Sequence, residues 1–344
     1  MLARAGATHD CVFTTSEGHA GRVCFAIGSG AREVESGTGK MSDGGVLEPV
    51  LLANVEVSCI LSCSGDGMLH ECLNGLISGS KVNPDKSFTP PPLAPIPVGS
   101  GNGVACSLFG RGCTPHSAVT RCLEGVASPV DIFAVRLDGG EVIYDLHFFC
   151  WSCFADHDYL TEGPLRPWGP IVKMLVAPAL VIWNAKVYEG VLDFLPADPK
   201  LTPPELLNSG AYTPPEGFEA SPLGEGWRRA TDGFWCFAVG NLSEAGGGMA
   251  ATPNAKQSEG AADILMSLRS KFPAGGFSRW RSLMLFLQME KGEHVVEDDI
   301  TVVKVKKMRL ETKGAGHLQL SGQELKQAKV VELEVVDMGV RVVS

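Results

Sequence analysis

Two short loops govern what this chain can fold into. Ser64-Gly65-Asp66-Gly67 follows an apolar, β-branched run from Val55 to Cys63, and Gly99-Ser100-Gly101-Asn102-Gly103 follows the stretch Leu93 to Val98. Each loop opens into a helical pattern. After the first, Met68, Leu69, Cys72, Leu73 and Leu76 recur on one face at helical spacing, and after the second Val104, Ala105 and Leu108 do the same. A strand, a glycine turn and a helix, twice in tandem, predict an α/β domain. Its loops offer main-chain N–H groups and positive helix ends to an anion, a phosphate above all. The first loop also carries Asp66, an acid able to move a proton. Together these features point to phosphoryl transfer.

With 344 residues the chain has room for two domains, each with its own core. A hydrophobic content of 44% against 20% charged residues excludes a disordered chain. The net charge of −10 argues against a nucleic-acid partner, which calls for a basic face, and gives no attraction to an anionic membrane. The longest apolar stretch, Ile171 to Trp183, is interrupted by Lys173 and Pro178 and is too short to span a bilayer. The opening residues MLARAGATHDCVF lack the apolar core and cleavage site of a signal peptide. The eleven cysteines are odd in number, and several lie in apolar runs (Cys59, Cys63, Cys72, Cys150, Cys236), the pattern of free buried thiols in a reducing compartment. Cys150-Trp-Ser-Cys153 has redox or zinc spacing, but it has no second pair and lies in an apolar segment. These features predict a cytoplasmic protein that reaches intracellular membranes only peripherally. They leave the oligomeric state open.

Along the chain, residues 1–128 read as α/β: a strand near Asp10–Thr14, a helix from about His19, a strand over Val55–Cys63, then the two loop–helix units. Gly28–Gly45 breaks the pattern as a surface insertion would. Its Gly39-Lys40 has no glycine five positions earlier and no Ser or Thr after the lysine, so a P-loop is excluded. Residues 129–344 read as an antiparallel β domain. Val130–Leu137, Glu141–Phe149, Val187–Phe194, Phe234–Val239, Ile300–Val305 and Val330–Val336 are short, β-branched and separated by turns. Pro196–Arg229, with seven prolines, predicts an exposed insertion. Asp263–Leu268 and Arg281–Met289 predict helices.

These residues resemble the diacylglycerol kinase-like catalytic family, and within it the sphingosine (long-chain base) kinases. The similarity runs through SGDGMLHECLNGL (64–76), PVGSGNG (97–103), ADHDYLTEGPLRPWG (155–169), FWCFAVGN with GGGMAATPNA (234–255) and LQMEKGEHV (287–295). MEKGEH is most like sphingosine kinases, and GSGN argues against ceramide kinase. The resemblance implies a Rossmann-like nucleotide-binding domain followed by an antiparallel β-sandwich-like lipid-binding domain, and use of ATP and Mg2+. The substrate implied is a sphingoid base taken from a membrane surface.

Residue by residue, the resemblance implies that Asp66 takes the proton from a primary lipid hydroxyl as it attacks the γ-phosphate. Ser64, Gly65, Gly67, Gly99, Ser100, Gly101 and Asn102 would shape the nucleotide loops. Thr14, Thr15, Ser16, Glu17, Gly18 and Glu71 match further nucleotide contacts, and Arg166 matches a phosphate-binding arginine. Asp158, with Asp156 and Phe154, would receive the headgroup, since a carboxylate facing an ammonium makes a charge-assisted contact that diacylglycerol cannot make. Ile171–Trp183 would line the acyl-chain pocket.

The chain departs from the family pattern in three places. It begins after the first strand and Asn-Pro phosphate loop that the resemblance implies, as an N-terminally truncated form would. The acidic Asp-Gly-Glu near the C-terminus reads Ser321-Gly322-Gln323-Glu324, leaving Gly322 and Glu324 to serve at the nucleotide. One residue is added between Glu162 and Arg166, and Lys173 is the nearest cation after Gly169. Two alternatives stand beside the sphingosine kinase reading. One is a catalytically impaired homologue that binds lipid or a partner; the other is a kinase for diacylglycerol or another lipid alcohol.

Overall fold

A computed structural model of the chain describes residues 6, 7, 9, 11–30, 35–41, 47–51, 57–85, 87–168, 170–184, 186–273, 276 and 278–344. Contacts divide the chain into Met1–Val130 with Gly339–Ser344, and Asp131–Met338. The final residues therefore belong to the first unit, not to the second as the 129–344 expectation has it. The strand Arg341–Val343 explains why: Val342 pairs parallel to Leu93 and antiparallel to Ser128, with its side chain fully buried. A three-residue strand at the chain end carries too little pattern to reveal such a distant partner.

In the first unit, a four-stranded sheet runs in the order Ile60–Ser64, Leu93–Pro97, Arg341–Val343, Ala127–Pro129. The first two strands are parallel, with Ile60 opposite Leu93 and Ser64 opposite Pro97. Both glycine loops therefore leave the sheet side by side at its carboxyl end, the usual place for ligands in open α/β sheets. Parallel neighbours need a crossover, and the helix Asp66–Val82 supplies it, burying Leu69, Cys72, Leu73 and Leu76. The helix His19–Gly28 crosses this one at glycines: a Cβ on Gly75 would stand 2.1 Å from the Gly21 carbonyl oxygen, and one on Gly79 2.2 Å from that of Phe25.

The strand expected near Asp10–Thr14 is not formed. Residues 11–14 are irregular, and residue 10 lies outside the described residues. The strand expected over Val55–Cys63 runs Ile60–Ser64, with residues 57–59 irregular and 55–56 outside the described residues. Within the expected Gly28–Gly45 insertion, Glu35–Met41 pairs antiparallel with Leu47–Leu51. The rest of that stretch after residue 30 lies outside the described residues.

In the second unit, the described residues form an eleven-stranded sheet in which every pairing is antiparallel. Two long strands, Arg228–Gly240 and Thr301–Glu311, divide their pairing. One half of each flanks Ala262–Leu268, and the other half flanks Tyr188–Pro196. The sheet thereby folds over a core of Phe149, Trp151, Phe194, Phe234, Phe237 and their neighbours. On the opposite face, Cys150, Cys236 and Leu265 share a core with residues of the helices Cys153–Glu162, Pro170–Asn184 and Arg279–Met289.

Three further expectations are corrected here. Asp263–Leu268 lies in the fully buried strand Ala262–Leu268, not in a helix; a short apolar run buried on both faces has no period to tell the two apart. Glu141–Phe149 is two strands, Val142–Asp145 and Phe148–Ser152, split by a turn. Pro196–Arg229 is mostly exposed but anchored: Ala211 and Tyr212 are buried, and the Tyr212 hydroxyl donates to Asp263 at 2.5 Å. The eleven cysteines are all free thiols, and burial pushes those of Cys150 and Cys153 well up, removing the reactivity that redox spacing suggests.

Candidate active site

Asp66 is the first residue of its helix, where the helix dipole favours an acid. Its carboxylate also reaches the next loop, accepting from Gly103 N at 2.7 Å through Oδ2 and from Val104 N at 3.1 Å through Oδ1. The anion that caps the Gly103–Phe109 helix is thus the chain's own aspartate. The approach depends on bare backbone, since a Cβ on Gly99 would stand 2.4 Å from Gly65 Cα. Asn102 holds the second loop from within. It sits in the left-handed region at φ 57°, accepts from Gly99 N at 2.9 Å, and donates to Gly99 O at 2.7 Å. Gly101 brings its α-carbon past Asp66, where a Cβ would lie 3.6 Å from Oδ2.

Thr14–Gly18 leads into the helix His19–Gly28. Thr15 N donates to His19 Nδ1 at 3.1 Å, Ser16 Oγ accepts from Arg22, and Gly18 turns the chain at φ 74°. Gly18 N donates to Glu71 Oε1 at 3.1 Å, tying this stretch to the helix that Asp66 begins. The first unit therefore brings together Asp66, both glycine loops, and the 14–18 stretch through Glu71.

In the second unit, the helix Cys153–Glu162 spreads its three candidate residues over different surroundings. Phe154 is buried in the core, edge-on to Phe148. Asp158 is about a third exposed, with Oδ2 3.9 Å from Cys150 Sγ and Oδ1 3.5 Å from His157 Nδ1. Asp156 faces elsewhere, into a cavity of about 400 Å³ lined also by Tyr159, Leu160, Val181, Asn184, Lys186, Tyr188 and His317. The Tyr188 hydroxyl lies 2.9 and 2.7 Å from its two oxygens. Burial raises the Asp156 carboxyl, while Tyr188, His317 and Lys186 pull the other way.

Arg166 is exposed, in the turn Arg166–Trp168. Ser321 and Gly322 make the turn between the strands Leu318–Leu320 and Gln323–Glu324, both in the left-handed region. Glu324 Oε1 meets His317 Nδ1 at 2.9 Å, and the His317 ring stacks on Tyr159 at 3.8 Å. Sequence reasoning missed the partners of Asp156, namely Tyr188, Lys186 and His317. The alternation Lys186-Val187-Tyr188 puts two of them on one side, a signal too short to read alone.

Comparison with known proteins adds a second line of evidence. Residues 1–135 match the diacylglycerol kinase catalytic domain, and residues 224–343 match the YegS C-terminal NAD kinase beta sandwich-like domain. The chain is 27% identical to sphingosine kinase 1 of Homo sapiens over 79% of its own length and 72% of that protein's. It is 26% identical to sphingosine kinase 2 of Arabidopsis thaliana over 73% of its length and 52% of that protein's. Its fold matches that of a diacylglycerol kinase from Bacillus anthracis str. Sterne with a TM-score of 0.55 at 16% identity, covering 99% of this chain and 87% of that one. With paired glycine loops around Asp66 and an antiparallel second unit, the chain combines a diacylglycerol kinase catalytic domain with a YegS C-terminal domain, and sphingosine kinases are among its relatives.

Proposed function

We propose that this lipid kinase transfers the γ-phosphate of ATP to the primary hydroxyl of sphingosine or a related long-chain base, with Asp66 as general base. The observation that carries the reading is the fixed position of the Asp66 carboxylate. Two main-chain donors from the neighbouring glycine loop hold it beside the bare backbone of Gly101. Such a fixed base typically contributes about 10²–10⁴ in rate.

The residues fit the nucleotide. Gly65, Gly99 and Gly101 bring bare backbone up to Asp66, leaving main-chain surface for phosphates where side chains would intrude. Ser64, Gly67, Ser100 and Glu71 would border it, with Thr14–Gly18 on the side that Glu71 fixes. Asn102 would act indirectly, by holding the loop. Bound ATP would supply the phosphoryl group, and Mg2+, which Glu324 would help to hold, would neutralise charge on it. Arg166 would serve at the phosphates and Asp158 at the headgroup ammonium. The identities to sphingosine kinases support the choice of lipid.

The lipid comes from a membrane surface in this reading. No helix among the described residues is long and apolar enough to cross a bilayer. Trp168, Trp183 and Trp280 are each about two-thirds exposed or more, and Arg279 lies over the Trp183 ring at 4.5 Å. Amphipathic aromatics beside a cation suit a headgroup layer.

The test is phosphate transfer from labelled ATP to sphingosine, diacylglycerol and ceramide in parallel, with Asp66→Asn and Asp158→Ala. Asparagine keeps an acceptor for the loop, so Asp66→Asn should stay folded and lose about 10²–10⁴ in rate. Asp158→Ala should impair sphingosine far more than diacylglycerol. Equal losses on both lipids would refute the headgroup assignment. Sphingosine binding without transfer to any lipid would replace the kinase reading with that of a lipid-binding homologue.

A further inference from the structure

The strand Leu318–Leu320 lies beside Phe148–Ser152, with Gln319 opposite Cys150. Leu318 and Leu320 enter the core that holds Phe149 and Trp151. By strand alternation, Gln319 projects to the other face, the side of Cys150 and the helix Cys153–Glu162. His317, two residues earlier on that same face, stacks on Tyr159 of the helix. Cys150 Sγ in turn reaches the Asp158 carboxylate at 3.9 Å. Directly opposed side chains on one face have Cβ atoms about 5 Å apart, so Gln319 is the cross-strand neighbour of the cysteine whose thiol meets Asp158. On its other flank Gln319 pairs with Glu324. One cross-strand row thus runs from Glu324, the candidate nucleotide-side acid, through Gln319 to Cys150 beneath the candidate headgroup acid.

Gln319 is only 2% exposed, and among the described residues no group donates to its Oε1. A buried amide oxygen left without a donor is a net cost to folding, and exceptions of this kind call for an explanation. A leucine would fill much the same space without that cost.

We propose that the Gln319 amide oxygen and the Asp158 carboxylate together accept N–H donors from the substrate's ammonium group, making Gln319 a specificity-determining residue for amino lipids. The inference rests on the reading of Asp158 as the headgroup acid. An ammonium carries three donors, and a single carboxylate leaves some of them unmet. A neutral glycerolipid headgroup has no such donors, so the pair selects against it.

The experiment measures equilibrium binding of sphingosine and of 1,2-dioctanoylglycerol in detergent micelles to the full chain, Gln319→Leu and Asp158→Asn, with thermal unfolding of each. For Gln319→Leu the sphingosine dissociation constant should rise about tenfold or more, as expected for a lost hydrogen bond to a charged group. Dioctanoylglycerol binding should change by less than about twofold, and the melting temperature should hold or rise. A merely structural glutamine would instead lower the melting temperature. If Asp158→Asn loses sphingosine while Gln319→Leu keeps it, the headgroup reading stands and the role of Gln319 falls, its oxygen serving only an ordered water. If neither variant loses sphingosine, the headgroup reading itself falls. Should Gln319→Leu not be recovered folded, Gln319→Met removes the same acceptor and takes its place.

Discussion

Replacing Gly79 by alanine places a methyl group where the helices His19–Gly28 and Asp66–Val82 touch. An ideal Cβ there stands 2.2 Å from the Phe25 carbonyl oxygen, 2.8 Å from Ser29 N and 3.0 Å from Gly28 C. All three are backbone atoms, so no side chain can swing aside. Reaching the 3.4 Å at which ordinary contact begins opens the pair by about 1.2 Å. Overpacking of this kind typically costs about 1–3 kcal/mol, offset by about 1 kcal/mol from the better helix propensity of alanine. The difference is a net loss of about 0–2 kcal/mol, and the expected value lies in the upper half of that range because the obstruction is main chain.

The functional consequence is larger than the loss of stability. The displaced helix begins with Asp66 and carries Glu71, whose 3.1 Å bond to Gly18 N would be lost on such an opening. A misplacement of about 1 Å costs on the order of 10² in rate when it reaches a catalytic group. Urea unfolding of Gly79→Ala should show the stability loss, and titration with a non-hydrolysable ATP analogue should show weakened binding. Gly217→Ala is the control, since a Cβ there meets nothing within 4 Å. Unfolding and nucleotide binding of Gly79→Ala indistinguishable from those of the control would refute the idea that the glycine contact positions the loop helix.

Three further outcomes are expected. Burial holds the His294 imidazole down to about 4, against an ordinary value of about 6.5. The unfolded chain therefore binds the extra proton between those values: its contribution is complete above pH 6.5 and is lost as pH falls toward 4, about 3 kcal/mol in all. Urea midpoints across this window should slope less in His294→Gln. Arg229→Ala should cost about 3–5 kcal/mol by stranding the buried Asp193 carboxylate, which its Nε and Nη2 now hold at 2.7 Å each, and calorimetry would register it. Ser321→Asp should destabilise by about 1–3 kcal/mol, because the Ser321 hydroxyl now donates to Asp145 at 2.7 Å and a carboxylate cannot. Adding Asp145→Asn to it should restore most of the loss.

The legible parts of the fold were those with a period longer than their neighbours. The helix Asp66–Val82 announced itself because one face is buried and the other wet. Val330–Val336 alternates and was readable end to end. Ala262–Leu268 was not, because a strand covered on both faces shows only apolar residues. Arg341–Val343 escaped because its partners lie far away in the sequence. The candidate site divides along the same line. Asp66 was legible from its glycine loop. That its carboxylate caps the next helix was not, since that bond joins residues 37 apart. Tyr188, Lys186 and His317 reach Asp156 from other elements and carry no motif of their own.

The departure at Ser321 shows how a motif can mislead when read one position at a time. In sequence, the serine reads as a lost acid. In the fold, Ser321 and Gly322 occupy the two left-handed positions of a tight turn, at φ 49° and 75°. A left-handed conformation is strained for a residue with a Cβ, and the serine hydroxyl helps hold it through Asp145 Oδ1, which also accepts from His147 N at 2.7 Å. Asp145 ends the strand Val142–Asp145 and is buried. A second carboxylate at position 321 would meet that one directly, so only one acid fits at this corner. A carboxyl group therefore still stands at the turn, contributed by a different strand. Substitution of residue 321 alone tests a turn contact, and whether acidity at this corner matters to the kinase is a question to put to Asp145.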